Sequence, residues 1–269
     1  MFFAAVLAVV SPASGPAIGP TTAPAGWKLA WSDEFDRDGV PDPSIWQFEK
    51  GYIRNKEAQF YTDRPENCRV EDGCLVIEAR KESIPILGKD EEKTSYTSAS
   101  IEARGAHAFT FGRVEVRAKI PSGNGTWPAI WMLGEGIRRL GWPDCGEIDI
   151  MENVGFEPDK LHGSIHTKAY NHVIHTEKTK VVMVPQMAEA FHVYAMEWTP
   201  QKIDLFVDAR KYFTFENEHK TDAQWPFVRS QYLKLNLAIG GAWGGQKGID
   251  DSIFPQKFLV DYVRVYKAR

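Results

Sequence analysis

The sequence is poor in cysteine, in runs of basic charge and in long apolar stretches. Three cysteines among 269 residues exclude a scaffold built on disulfides, and no CxxC pair or Cys/His spacing suited to a structural zinc occurs. Positive charge is scattered and the formal net charge is −4, which argues against nucleic acid as the main partner. Helical periodicity is nearly missing; only VPQMAEAF (184–191) has room for one helical turn. The opening apolar run, MFFAAVLAVV, is too short to span a bilayer as a helix, so stable membrane insertion is not expected. Together with the small residues behind it and PAIGPTTAP, it reads as a secretory signal and linker over residues 1–26. The mature protein is therefore expected to be secreted.

Aromatics are plentiful: nine Trp, nine Tyr and fifteen Phe. They suffice for a large core, with some left to line a cleft. The chain from residue 27 onward is a series of short alternating runs separated by Gly, Pro, Asn and Asp, without an internal repeat. CLVIEAR (74–80), RVEVRAKIP (113–121), EIDIME (147–152), HGSIHT (162–167), FHVYAMEWT (191–199), KIDLFVD (202–208), LKLNLAIGG (233–241) and FLVDYVRVY (258–266) have the composition of strands. EWTPQKIDLF reads as a hairpin, and DGCLVIEA as the second half of another. The pattern is all-β, a sandwich of two large antiparallel sheets in one domain, 27–269. No association motif is evident, so a monomer is expected.

GEIDIME (146–152) is the unusual strand, because its non-apolar positions are three carboxylates. Side chains alternate faces with a period of two. Glu147 and Asp149 therefore share a face, and a regular strand would send Glu152 to the other. One extra residue, taken up as a β-bulge near Ile150 or Met151, returns Glu152 to the first face. Three acids so close repel each other and raise at least one pKa. A solvated polar face or a calcium site are the plain alternatives. Glycoside hydrolysis by retention needs two such acids about 5–5.5 Å apart, with Asp149 between them tuning both.

Neighbouring segments support that chemistry. In GTWPAIWML (125–133), Trp127 and Trp131 share a strand face and suit the flat faces of sugar rings, unless one of them packs in the core. Gly123 and Gly125 suggest a tight loop at the groove's rim. In HGSIHT, His162 and His166 share a face; a third ligand for zinc is missing, and His166 is favoured as a polar neighbour of the acids. His172 and His175 fall in a loop and are expected to be exposed. Cys68 and Cys74 flank a turn and are as compatible with a disulfide as with free thiols. Cys145 reads as a buried, inert thiol.

In this order, GTWPAIWML, WPDCGEIDIME and HGSIHT resemble the β-jelly-roll glycoside hydrolases of family 16, and within them the bacterial laminarinases. WSDEFD (31–36), NKEAQFYT (55–62), YTSASIEARG (96–105), FGRVEVRAKIP (111–121), LNLAIGGAWGG (235–245) and FLVDYVRVY (258–266) are similar to further family segments. The resemblance covers nearly all of residues 27–269 and implies one catalytic domain with a concave substrate cleft. It implies Glu147 as nucleophile, Glu152 as general acid/base and Asp149 as the assisting carboxylate. Met151 matches the bulged form of the strand; the lichenase branch has an unbulged ExDxE. Asn55, Arg104, Trp127, Trp131, His166 and Trp243 match substrate-binding positions, with Glu57 and Gln59 weaker. No cofactor is implied for the chemistry. A structural calcium is implied on the face away from the cleft, held by Glu34, the Gly73 carbonyl and Asp261, although a salt bridge equally explains the acid at 261. Many relatives carry an arginine where this chain has Ser100.

The expected activity is hydrolysis of internal β-1,3 bonds in laminarin-type β-glucans. Two other readings remain: the same fold and mechanism acting on galactans such as agarose or carrageenan, and a carbohydrate-binding jelly roll without catalysis. The second has no need of three convergent carboxylates.

Overall fold

The computed structural model describes residues 23–86 and 89–269, so residues 1–22 of the expected secretory segment lie outside the described residues. Two sheets face each other across the core. The inner sheet has seven strands in the spatial order Lys178–Met183, Lys160–His166, Glu147–Glu152, Thr126–Gly134, Gln231–Ile239, Ser100–Ala103, Gln47–Phe48. Every pairing in it is antiparallel. The outer sheet has ten strands, centred on Gly112–Lys119 and the long Gln256–Ala268 strand. Among the described residues no helix is long and apolar enough to cross a membrane.

Alternation explains the layering. In Gln231–Ile239, Leu233, Leu235 and Leu237 join the inter-sheet core, which also holds Val114, Val116, Val263 and Val265 of the outer sheet. Lys234 and Asn236, between the leucines, turn to the opposite face and line the cleft. The expected hairpin forms from His192–Trp198 and Lys202–Val207, with Trp198 opposite Ile203.

The 184–191 segment holds a single turn, closed by the Ala190 and Glu189 N–H groups on the Gln186 carbonyl, and no helix beyond it, since Gln186 itself has a φ of 65°. Two features differ from the sequence reading. Arg210–Glu216, unassigned from sequence, is a strand at the edge of the outer sheet. Cys68 and Cys74 are free thiols. The Asp72–Gly73 turn sets Cys74 opposite Glu71 and Cys68 opposite Ile77, so the two do not face each other.

Candidate active site

The acid strand contains the bulge that parity required. Asp149 lies opposite Ser164 and Glu152 opposite His162, so two residues, Ile150 and Met151, face Gly163 alone. On the other flank Asp149 pairs with Trp131 and Met151 with Ile130, and Ile150 is skipped. Ile148, Ile150 and Met151 are all fully buried in the main core. Placing two successive apolar side chains in the core is what brings Glu152 back to the cleft face beside Glu147 and Asp149.

Each glutamate is held by a tryptophan. Trp142 Nε1 donates to Glu147 Oε2 at 3.1 Å, and Trp127 Nε1 donates to Glu152 Oε1 at 3.0 Å. Asp149 has no such support: its Oδ2 is buried without a hydrogen-bond partner and lies 3.3 Å from His166 Nε2, off bonding geometry. Burial first, and then the charge of Asp149, pushes the carboxyls of Glu147 and Glu152 up to about 8. Burial raises Asp149 in the same way. Three anions cannot coexist here, and at least one proton stays in the cluster. Asp149, lacking a donor, is the carboxyl best suited to hold it, whereas Trp142 and His166 favour the anion of Glu147. Glu147, Asp149 and His166 each bring a ligand-type atom within 4.8 Å of the other two. The indole on Glu147 and the isolation of Asp149 suit proton handling, and the chemistry derived below runs without an ion.

The cleft has a volume of about 660 Å³ and runs from the acids to the Glu49–Glu57 loop. Its floor is an ion lattice. Lys234, 1% exposed, bonds Glu102 at 2.7 Å and Glu49 at 2.9 Å. Arg54 binds the same Glu49 through two nitrogens and donates to Ser100 Oγ. Burial opposes ionisation of Glu49, but Arg54 and Lys234 together hold it down to about 2. Both cations lie over the Trp131 ring, at 5.1 and 5.0 Å from its centre, while Trp131 Nε1 donates to Asn236 at 2.7 Å. Trp131 is thus fixed on its face and at its edge. Ser100 sits between Arg54 and Glu49, accepting from the first and donating to the second.

Of the residues expected at the cleft, Asn55, Arg104, Trp127 and Trp131 line it with the three acids. Arg104 stacks on the Tyr232 ring and bonds its hydroxyl at 2.7 Å. His166 stands opposite Glu147 on the next strand. Trp243 packs edge-on against Trp127 and His162 at the acid-strand end. Trp127 is half-buried and outside both apolar clusters, whereas Trp131 is buried in a second, smaller cluster with Ala129, Leu133, Cys145 and Tyr232, so one of the pair does pack in a core. Gln59 is fully buried and bonds Glu57 and the Ile239 N–H, so it supports the floor and does not reach the cleft. His172 is exposed, as expected, and from there it packs 4.9 Å from the Trp142 ring and lines the open cleft. Sequence reasoning also missed Trp142, Glu49, Arg54, Glu102, Tyr232 and Lys234. The polar residues alternating with leucine in LKLNL were the available signal for Lys234.

The residues expected to hold calcium are engaged elsewhere. Arg264 grips Glu34 in a two-pronged pair with contacts of 2.9 and 2.7 Å, and Arg117 bonds Asp261 at 2.7 Å. Gly73 lies in the adjacent hairpin turn. Their oxygens are of the type calcium takes, but two different arginines already satisfy the carboxylates, and the arrangement is not a ready cation site.

Two packed sheets, the inner one carrying paired glutamates under a tryptophan-walled groove, define a glycoside hydrolase of the jelly-roll type. Residues 55–264 match the glycosyl hydrolases family 16, and the chain belongs to that family. It is 51% identical over 252 residues to a beta-glucanase of Rhodothermus marinus, spanning 90% of this chain and 85% of that protein. The solved laminarinase of Rhodothermus marinus superposes with a TM-score of 0.84 at 48% identity, over 90% of this chain and 98% of that one. SCLam, a non-specific endo-beta-1,3(4)-glucanase of family 16, gives a TM-score of 0.86 at 45% identity, over 95% and 96%.

Proposed function

We propose that the protein is a retaining endo-β-1,3-glucanase acting on laminarin-type β-glucans. The observation that carries the reading is the bulge at Ile150–Met151, which sets Glu152 on the face of Glu147, each under its own indole N–H. The kinship with laminarinases supports the substrate class.

In the first step a Glu147 oxygen attacks the anomeric carbon while the Glu152 proton passes to the departing glycosidic oxygen. The C–O bond breaks and a glycosyl ester forms on Glu147. In the second step Glu152, now a carboxylate, takes a proton from water as that water attacks the same carbon. The ester breaks, and two inversions give retention. Glu147 must therefore begin as the anion and Glu152 as the acid. Asp149 carries the cluster's remaining proton and keeps the negative charge beside Glu147 from doubling. Trp127, Trp131 and Trp243 supply stacking faces for glucosyl rings, and Asn55, Arg104 and His166 supply polar contacts.

The test is release of reducing ends from laminarin, mixed-linkage β-glucan, agarose and κ-carrageenan, with Glu147→Gln as the blank. Activity on laminarin that falls about a thousandfold or more in the variant is expected. Activity confined to a galactan would overturn the substrate.

Secretion and a monomeric state complete the reading. N-terminal sequencing of exported protein, expected to begin near residue 27, tests the first, and sedimentation tests the second. A calcium at Glu34, Gly73 and Asp261 requires Arg264 and Arg117 to release their carboxylates. A rise in melting temperature on adding calcium to chelator-stripped protein would support it, and an unchanged melt would rule it out.

A further inference from the structure

The bulge is served from the other sheet. Tyr212, on the Arg210–Glu216 strand of the outer sheet, extends its side chain through the core and donates its hydroxyl to the Ile150 carbonyl at 2.7 Å. Both groups are buried. Ile150 is the residue without an opposed partner on either neighbouring strand, so its carbonyl stands at the point where the ladder is disrupted.

Gly163 makes this contact possible. It is the single residue facing the bulge, and a Cβ built there would lie 2.3 Å from the Tyr212 hydroxyl oxygen and 2.8 Å from the ring. Its backbone is not among those with positive φ. The glycine is therefore required for space and not for conformation. A bulge, the glycine opposite it and a phenol entering through the gap form one unit, two residues from Glu152.

We infer that Tyr212 is a positioning residue for Glu152: it pins the bulge so that the acid/base carboxyl points into the cleft at the angle proton transfer needs. The inference rests on the proposed role of Glu152. Tyr212 itself does not line the cleft, and it acts through the Ile150 carbonyl. Without the hydroxyl, the bulge is free to shift along the strand, and Glu152 moves with it relative to Glu147. Small misplacements of a catalytic group cost orders of magnitude in rate.

The experiment compares Tyr212→Phe with wild type on two substrates, laminarin and 2,4-dinitrophenyl β-laminaribioside. The dinitrophenolate leaves without a proton, so its glycosylation step does not need Glu152 as acid. For both substrates kcat/KM reports that first step. The expected result is a loss of about tenfold or more in kcat/KM on laminarin, with the aryl glycoside changed less than about twofold. In a Glu152→Gln background, Tyr212→Phe should add no further loss on laminarin. A merely structural tyrosine would lower both substrates by one factor through a smaller active fraction, and that outcome overturns the inference, as does an unchanged laminarin rate. Gly163→Ala, which drives the hydroxyl away while keeping the tyrosine, should reproduce the same split. Full laminarin activity in Glu152→Gln alone would instead refute the acid/base assignment and the positioning role with it.

Discussion

Trp142 donates its indole N–H to Glu147 across 3.1 Å and also stacks against His172. One ring thus joins the outer wall of the cleft to Glu147, the proposed nucleophile. A hydrogen bond of this kind stabilises the anion of Glu147 more than its acid.

Trp142→Phe removes that donor and keeps most of the stacking area. A bond to a charged group contributes about 1.5–3 kcal/mol, and 1.36 kcal/mol corresponds to about one pKa unit. Glu147 must be ionised to attack, so losing the donor raises its pKa. The acidic limb of the kcat/KM profile on laminarin should move up by about one pH unit. A limb that stays in place would mean the indole does not tune Glu147.

The acid cluster should also mark the stability curve. The three buried acids share their protons, and burial pushes Glu147, Asp149 and Glu152 all up to about 8 in the fold from ordinary values of 4.5, 3.8 and 4.5, so removing Glu147 as an acid also lessens the repulsion on its neighbours. Between those values the native state binds more protons than the unfolded chain, so the cluster's contribution to stability is greatest below about 4.5 and declines as pH rises toward 8. Glu147→Gln removes Glu147's share of this loss. Its melting temperature should exceed that of wild type by about 3–6 °C at pH 8, which corresponds to about 1–2 kcal/mol, with the gap closing near pH 4.5. Calorimetry at the two pH values decides it.

Lys234→Met tests the floor. It removes the buried cation shared by Glu49 and Glu102, leaving Glu49 with Arg54 and Glu102 with Arg104, so the cost should fall at or below the low end of the about 3–5 kcal/mol that breaking a buried pair costs. Glu49 is held down to about 2 by Arg54 and Lys234 against its burial. A depressed carboxyl stabilises the fold above its unfolded pKa, and that gain is lost as pH falls. The difference between wild type and variant should therefore be largest above pH 5 and shrink toward pH 3 in urea titrations. Equal differences at both ends would separate Lys234 from Glu49.

Trp243→Ala removes the ring that braces Trp127 and His162. Aromatic pairs contribute about 0.5–1.5 kcal/mol beyond area. KM for laminarin should rise about three- to tenfold, with kcat changed less than about threefold. A kcat loss without a KM change would move Trp243 from binding to support of Glu152 through Trp127.

Legibility in the sequence followed distance along the chain. The bulge was readable because parity is a property of consecutive residues, and Glu147, Asp149 and Glu152 lie within one strand. Trp127 and Trp131 were readable for the same reason. The floor was not, because Glu49, Arg54, Ser100, Glu102 and Lys234 come from a loop and two strands that meet only when the sheet is assembled. The exposure of His172 was readable, but its place at the cleft was not, because its short loop folds back onto Trp142 and His166, which no local pattern announces. The calcium expectation treated Glu34 and Asp261 as acids needing a cation. Arg264 and Arg117, three residues from Asp261 and far upstream of it, supply two.

The bulge also defines what insertions and deletions can do to this enzyme. Glu147 and Glu152 share a face because the strand has one residue too many. Dropping Met151 would leave Glu-Ile-Asp-Ile-Glu, a strand of regular parity with the same three acids on the same side. Loss of a single codon at that point therefore conserves the catalytic face, while the same loss at Ile148 reverses the partnership of Glu147 with Asp149. By parity, a one-residue deletion between the glutamates keeps all three acids on one face only within the bulge, at Ile150 or Met151, and the shorter version has the ExDxE spacing of the lichenase branch.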